Sequence, residues 1–377
     1  MRMDNIIRLG DYITEICEKT TVNNQHMVLT SSQEGIVSQD DYFNKQVASK
    51  DNTGYKVIRR GQFTYRAMSD TGRFYINRLC DYDTGIVSPA YPVFELKKNE
   101  DILPDYLQEY FHSEQFQNSI ALSSTGSTRV SLKLAKIADL RIAVPSISDQ
   151  RHMIIAIQHV SDLISAQNSA LCKLDELVKS RFIELFDGKG YPKIAIGELV
   201  ASKVSSVKKV FAPTDTIKYI DISSIDNKRN VMTGYTEYVL EEAPSRAQQH
   251  IKMGDIVVST VRPNLKNVAI TGYEYDNLVA SSGFCVLRAE KCLPAYLMAV
   301  VCSDDFTDAM TKVVTGANYP AIKDSDVRGY VVPNPPIELQ EQFATFVEQA
   351  DKSKLAVKQS LEKLETLKKS LMQQYFG

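Results

Sequence analysis

The chain has 377 residues, enough for two or three domains that each bury a core. With 44% hydrophobic and 24% charged residues it reads as an ordinary globular protein, and an apolar run such as Tyr296–Cys302 is far short of a membrane span. A net charge of −2 argues against a protein that grips nucleic acid by bulk charge alone. Six scattered cysteines without a Cys-x-x-Cys pair indicate neither zinc nor a disulfide framework.

Met1-Arg2-Met3-Asp4 lacks the apolar core of a leader, which with the cysteine usage predicts a cytoplasmic protein. Ile7-Arg8-Leu9-Gly10-Asp11 opens a mixed globular stretch that runs to about residue 146. Between Lys45 and Arg78 it carries eight basic and two acidic residues, including Arg59, Arg60, Arg66, Arg73 and Arg78. Pro104 to Asn118 is predicted as one helix with proline in its first turn, and Thr125-Gly126 as a turn. Pro145 precedes a long helix expected from Ile147 to Asp187, with Asp149 suited to the dipole of its first turn. Ile157, Val160, Ile164, Leu171, Leu174, Val178 and Leu185 follow alternating steps of three and four, with Gln167 and Arg181 filling two positions of the seam. Asp187-Gly188-Lys189-Gly190-Tyr191-Pro192 ends that helix and marks a junction.

The second globular stretch, about 189–336, opens on Ile194-Ala195-Ile196-Gly197-Glu198. It carries Lys203, Lys208 and Lys209 without an acid between residues 201 and 212, and four basic residues against one acid from Arg246 to Lys266. Asp255–Val261 and Gly283–Leu287 read as strands, and Pro294–Met310 as a helix. After Pro335-Pro336 a second long helix is expected over 337–377, its seam formed by Val347, Ala350, Val357, Leu361, Leu364, Leu371 and Tyr375 and interrupted by Lys354 and Lys368.

These halves are copies. A shift of 190 residues superposes Leu103-Pro104-x-Tyr106-Leu107 on Leu293-Pro294-x-Tyr296-Leu297, Ser113 and Phe116 on Ser303 and Phe306, and Thr125-Gly126 on Thr315-Gly316. It also superposes Lys133 on Lys323, Pro145-x-Ile147-x-x-Gln150 on Pro335-x-Ile337-x-x-Gln340, and Phe186 on Phe376, with no gap from Leu103 to Phe186. Two similar modules suit a partner read in two halves, as duplex DNA is.

Two short motifs imitate a DNA adenine methyltransferase. Phe186-x-Gly188-x-Gly190 matches a methyl-donor loop and Asn334-Pro335-Pro336-Ile337 an adenine-binding motif. The first follows a helical heptad pattern, whereas such loops follow a strand and open a helix. The second offers isoleucine where a flipped base needs an aromatic face. Asp83 with Glu95-x-Lys97 imitates a nuclease centre, but an acid-x-lysine triplet is common by chance. A stand-alone methyltransferase and a coiled-coil assembly protein that never touches DNA are the alternative readings.

With the duplicated Thr-Gly and Pro-x-Ile-x-x-Gln elements, the stretch Gly254–Pro263 and the stretch Ser88–Phe94, the whole chain resembles the specificity subunit of type I restriction–modification systems. The resemblance implies an α+β protein with two target-recognition domains, 1–146 and 189–336, in pseudo-two-fold arrangement. Two long helices, 147–188 and 337–377, would separate them as an antiparallel coiled coil. It implies a non-catalytic, cofactor-free subunit that reads a bipartite DNA site, docks two methyltransferase subunits through its helices, and meets motor-nuclease subunits in the complex. Arg59, Arg60, Arg66, Arg73 and Arg78 are then the candidate DNA contacts of the first domain. Lys208, Lys209, Arg262, Asn264, Lys266 and Asn267 are those of the second, with arginine to guanine and asparagine to adenine the strongest base readers.

Overall fold

The computed structural model describes residues 6–42, 51–98, 100–121, 130–316 and 320–377. The chain divides into two compact units, residues 1–168 with 359–377, and residues 169–358. Among the described residues no helix is long and apolar enough to cross a membrane.

In the first unit, Ile6–Arg8 pairs antiparallel with Arg141–Ala143, so the start of the globular stretch closes on its end. A four-stranded sheet has the order Ile13–Glu15, Val93–Leu96, Phe63–Thr64, Asn77–Arg78. Phe63, Phe94 and Phe111 meet stacked and edge-on at the centre of the core, with ring centroids 5.3–6.1 Å apart. The second unit repeats the closure with Lys193–Ala195 against Val331–Pro333. Its core lies around a three-stranded sheet ordered Val268–Ile270, Ile256–Ser259, Phe284–Leu287. A further four-stranded sheet, without a counterpart among the described residues of the first unit, carries Thr216–Ile220.

The repeated residues do the same work in both units. Tyr106 donates its hydroxyl to the Ala143 carbonyl at 3.1 Å, and Tyr296 donates to that of Pro333. Gln150 and Gln340 are 0% and 1% exposed. Each accepts from the N–H before the repeated proline, Leu103 at 2.8 Å and Leu293 at 2.9 Å, and each donates to a proline carbonyl at its own helix start. Such buried amides hold the long helix to the globular part because leaving those groups unpaired would be costly. Gly10 and Gly197 fit against Ala138 and Arg328, where an added Cβ would come within 2.9 and 3.3 Å of a carbonyl oxygen.

The helices expected over Pro104–Asn118 and Pro294–Met310 are each two. Pro104–His112 is followed by Glu114–Ala121, and Pro294–Cys302 by Asp304–Lys312. The break falls on the repeated serine, whose hydroxyl accepts the N–H of the repeated phenylalanine: Phe116 to Ser113 at 3.2 Å, Phe306 to Ser303 at 3.1 Å. Apolar periodicity continues through the break, but a serine that caps a new helix leaves helical backbone.

The long helices span Ile147–Phe186 and Ile337–Phe376. Within the second unit they run antiparallel, with Lys354 bound to Asp175 at 2.7 Å and Phe182 on Phe343 with centroids 5.6 Å apart. Within the first unit Met153 and Ile157 share a core with Phe376. Every expected seam position, including Ile164, Leu171, Leu174, Val178, Leu361, Leu364 and Leu371, is buried or half-buried, and so are Gln167, Arg181, Lys354 and Lys368. Phe186 of the imitation methyl-donor loop is a core residue against Tyr296, centroids 5.0 Å apart, and Gly188 and Gly190 at φ 64° and 72° unwind the helix end. Asn334-Pro335-Pro336 leads into the second long helix, with the Asn334 N–H bound to the Pro192 carbonyl.

Candidate nucleic-acid interface

The candidate arginines of the first unit are mostly paired. Arg59 forms two contacts to Glu18, one of them 2.6 Å. Arg60 binds Asp83 at 2.9 Å and the Cys80 carbonyl, and Arg78 binds Asp105. Arg73 makes a two-pronged contact to Glu114, 2.6 and 3.3 Å. Arg66 is exposed and forms no ion pair with a described residue. All four of these carboxylates, Glu18, Asp83, Asp105 and Glu114, lie outside the Lys45–Arg78 window, which is why its local balance overstates its free charge. The triplet that imitates a nuclease is dispersed: Asp83 holds Arg60, Glu95 accepts from Gln62 at 3.0 Å, and Lys97 donates to the Asp11 carbonyl. No group of three metal-ligating side chains occurs among the described residues.

In the second unit Lys208 and Lys209 lie exposed on a short 3₁₀ turn and meet no carboxylate among the described residues. Arg262 is likewise exposed and unpaired. It opens a loop of unusual backbone: Arg262 and Lys266 both take the left-handed conformation, at φ 50° and 51°, on either side of a 3₁₀ turn at Pro263–Leu265. For residues with a Cβ that conformation costs about 1–2 kcal/mol each. The surroundings hold it. The Arg262 N–H donates to the Pro320 carbonyl at 2.8 Å. Asn227 donates to the Leu265 carbonyl at 2.8 Å, and Asn230 to those of Lys266 and Val268 at 3.1 and 3.2 Å. Asn264 is exposed at the turn, whereas Asn267 is 9% exposed and its carbonyl accepts the Ser259 N–H. Strain of this kind, maintained by neighbours, is characteristic of functional loops.

The Thr-Gly element of this unit borders the loop. Thr315 and Ala321 exchange two backbone hydrogen bonds of 3.0 Å, Ala321 also bridges to Val261, and Gly316 has φ 95°. Thr125 and Gly126 lie outside the described residues.

The register reveals an equivalence that the 190-residue shift hides. The Leu132 N–H donates to the Ala67 carbonyl and the Ile322 N–H to that of Thr260, both at 2.9 Å. Met68 pairs with Ser131 as Val261 bridges to Ala321. Phe63 lies opposite Phe94, and Ile256 opposite Leu287. The loops that follow therefore align after a slip of three residues: Ser69-Asp70-Thr71-Gly72-Arg73 stands where Arg262-Pro263-Asn264-Leu265-Lys266 stands in the other unit. The same slip places the Gln62–Glu95 hydrogen bond where the second unit pairs buried Asp255 with half-buried Arg288, 2.6 and 2.8 Å. Gly61 on Gly254 was the signal available in the sequence. Asn227 and Asn230, distant in sequence from the loop they hold, left none.

Comparison with known proteins agrees with this architecture. Residues 189–367 match the family described as type I restriction modification DNA specificity domain. The specificity subunit of the type I restriction enzyme MjaVIII from Methanocaldococcus jannaschii is 22% identical over 97% of this chain and 90% of its own length. Among solved structures, the S subunit of a type I restriction–modification system from M. genitalium aligns over 99% of this chain and 96% of its own at a TM-score of 0.55 and 11% identity. A chain from a study of complex assembly and conformational transition in the type I system aligns over 99% and 97% at 0.57 and 16%. Residues 189–367 thus carry a type I restriction modification DNA specificity domain, and the chain as a whole is a relative of the specificity subunits of type I restriction–modification systems.

Proposed function

We propose that the chain is the non-catalytic DNA reader of a type I restriction–modification complex, each globular part reading one half of a bipartite site. The observation that carries this is the strained loop at 262–266, which presents an exposed asparagine and an arginine without an ion partner among the described residues, beside the Thr-Gly element. These are the side chains suited to guanine and adenine edges in the major groove. The free Lys208 and Lys209 suit phosphates, which fix register without reading sequence. In the first half the corresponding reader is the loop at 69–72, with Arg66 before it.

The helices supply a docking surface for two methyltransferase subunits, and motor-nuclease subunits join through the complex. Leu177 and Leu367, equivalent in the repeat, flank the seam and remain 51% and 46% exposed. This repeat-matched pair of leucines suits the same partner twice. Cells with and without this chain, alongside its methyltransferase partner, test the reading by methylation mapping. A split motif that appears only with the chain is expected, and loss of the 262–266 loop should change one half of it. Methylation of the same motif without the chain would overturn the assignment.

A further inference from the structure

Two residues that the basic clusters nominate for DNA contact have the same partner in both units. Arg73 binds Glu114 and Lys266 binds Asp304. Glu114 and Asp304 correspond under the 190-residue shift, and Arg73 and Lys266 correspond under the slipped register of the loops. Each acid is the first residue of the helix that begins after the repeated serine. The pairing has thus been kept while the loop sequences between have diverged completely, from Ser-Asp-Thr-Gly to Arg-Pro-Asn-Leu.

We propose that Arg73 and Lys266 are positioning residues: each ties the far end of its reading loop to the helix behind it, so that the residues between can vary without the loop losing its place. This rests on the reading of these loops as DNA contacts. Other contacts support the same attachment. Gln117, on the first of these helices, accepts the Phe74 N–H at 3.1 Å and donates to the Phe74 carbonyl at 2.7 Å, fixing the residue next to Arg73. In the second unit Asn230 holds the Lys266 carbonyl. The carboxyls of Glu114 and Asp304 sit below their usual range because the cation donates to them, so both acids are ionised at neutral pH. The acids also face the positive end of their helices. The pairs are exposed, so they set position rather than add much stability.

The test uses the complete chain reconstituted with its methyltransferase, and compares Asp304→Asn, Lys266→Met and Arg262→Ala. Positioning predicts that Asp304→Asn and Lys266→Met each lower discrimination at the second half-site about tenfold, with the first half-site unchanged and the melting temperature nearly so. Asp304→Glu should retain selectivity. Glu114→Gln should do for the first half-site what Asp304→Asn does for the second. If Lys266 were instead a phosphate contact, Asp304→Asn would leave binding unchanged or tighten it, and Lys266→Met would reduce the salt slope by about one. That pattern would overturn the proposal. Loss of selectivity in Arg262→Ala with none in Asp304→Asn would reject the positioning role alone. No effect of any of the three variants would reject the loop as reader.

Discussion

Arg59, Arg60, Arg73 and Arg78 of the first unit each meet a carboxylate of that same unit, whereas Lys208, Lys209 and Arg262 of the second meet none among the described residues. Both regions are basic by count, but of the five candidate arginines of the first only Arg66 lacks an ion partner among the described residues. An arginine already bound to a carboxylate must release it before taking a phosphate, and such exposed pairs are individually worth up to about 1 kcal/mol. The difference teaches that a cluster's charge should be judged after its partners are known. On the proposed function, the two units would draw unequally on electrostatics in holding DNA.

The largest effects would come from the frame the units share. Phe376→Ala removes a buried ring from Tyr106 and Tyr110, and Phe186→Ala removes one from Tyr296 and Phe343. Each should destabilise its own unit by about 3–5 kcal/mol, measured by chemical denaturation. If the frame that the two units share is equivalent in both, the two losses should be similar. Gln150→Ala and Gln340→Ala would leave the Leu103 or Leu293 N–H buried without a partner, at a cost of about 1–3 kcal/mol each by the same measurement. A negligible effect in one unit would mean that its helix is attached by other means. At the interface, Arg262→Ala should weaken binding of the assembled complex by about 1–3 kcal/mol if it reads a base. Arg60→Ala should change it by less than about 1 kcal/mol. Equal losses in a DNA titration would erase the distinction between paired and free cations.

The long helices were legible because a seam of three- and four-residue steps needs no knowledge of the rest of the fold. Even the residues that interrupt it make sense in three dimensions: Lys354 answers Asp175, and the Arg181 guanidinium lies 6.0 Å from the Phe346 ring centroid. The repeat pointed to Tyr106, Gln150, Phe186 and their counterparts because such contacts tolerate little change. The serine breaks were missed although Ser113 and Ser303 were in the alignment, since apolar spacing outweighed the capping signal. The reading loops were harder. Short strands accept many apolar residues, a three-residue slip removed them from the main alignment, and ion partners some 40 residues away follow no local pattern. Hence a window of basic residues mixed candidate readers such as Arg262 with residues already engaged, such as Arg73 and Lys266.

The placement of Phe376 has a consequence for biosynthesis. Its ring belongs to the core of the unit that begins at the other end of the sequence. On the ribosome that core stays open, with Tyr106 and Tyr110 uncovered, for the time needed to make the residues from Phe186 to Phe376. At about 5–20 residues per second this is on the order of 10–40 s. The unit translated first is therefore completed last, and a nascent chain stalled within the second long helix would leave the earlier unit, not only the later one, for chaperones to shield.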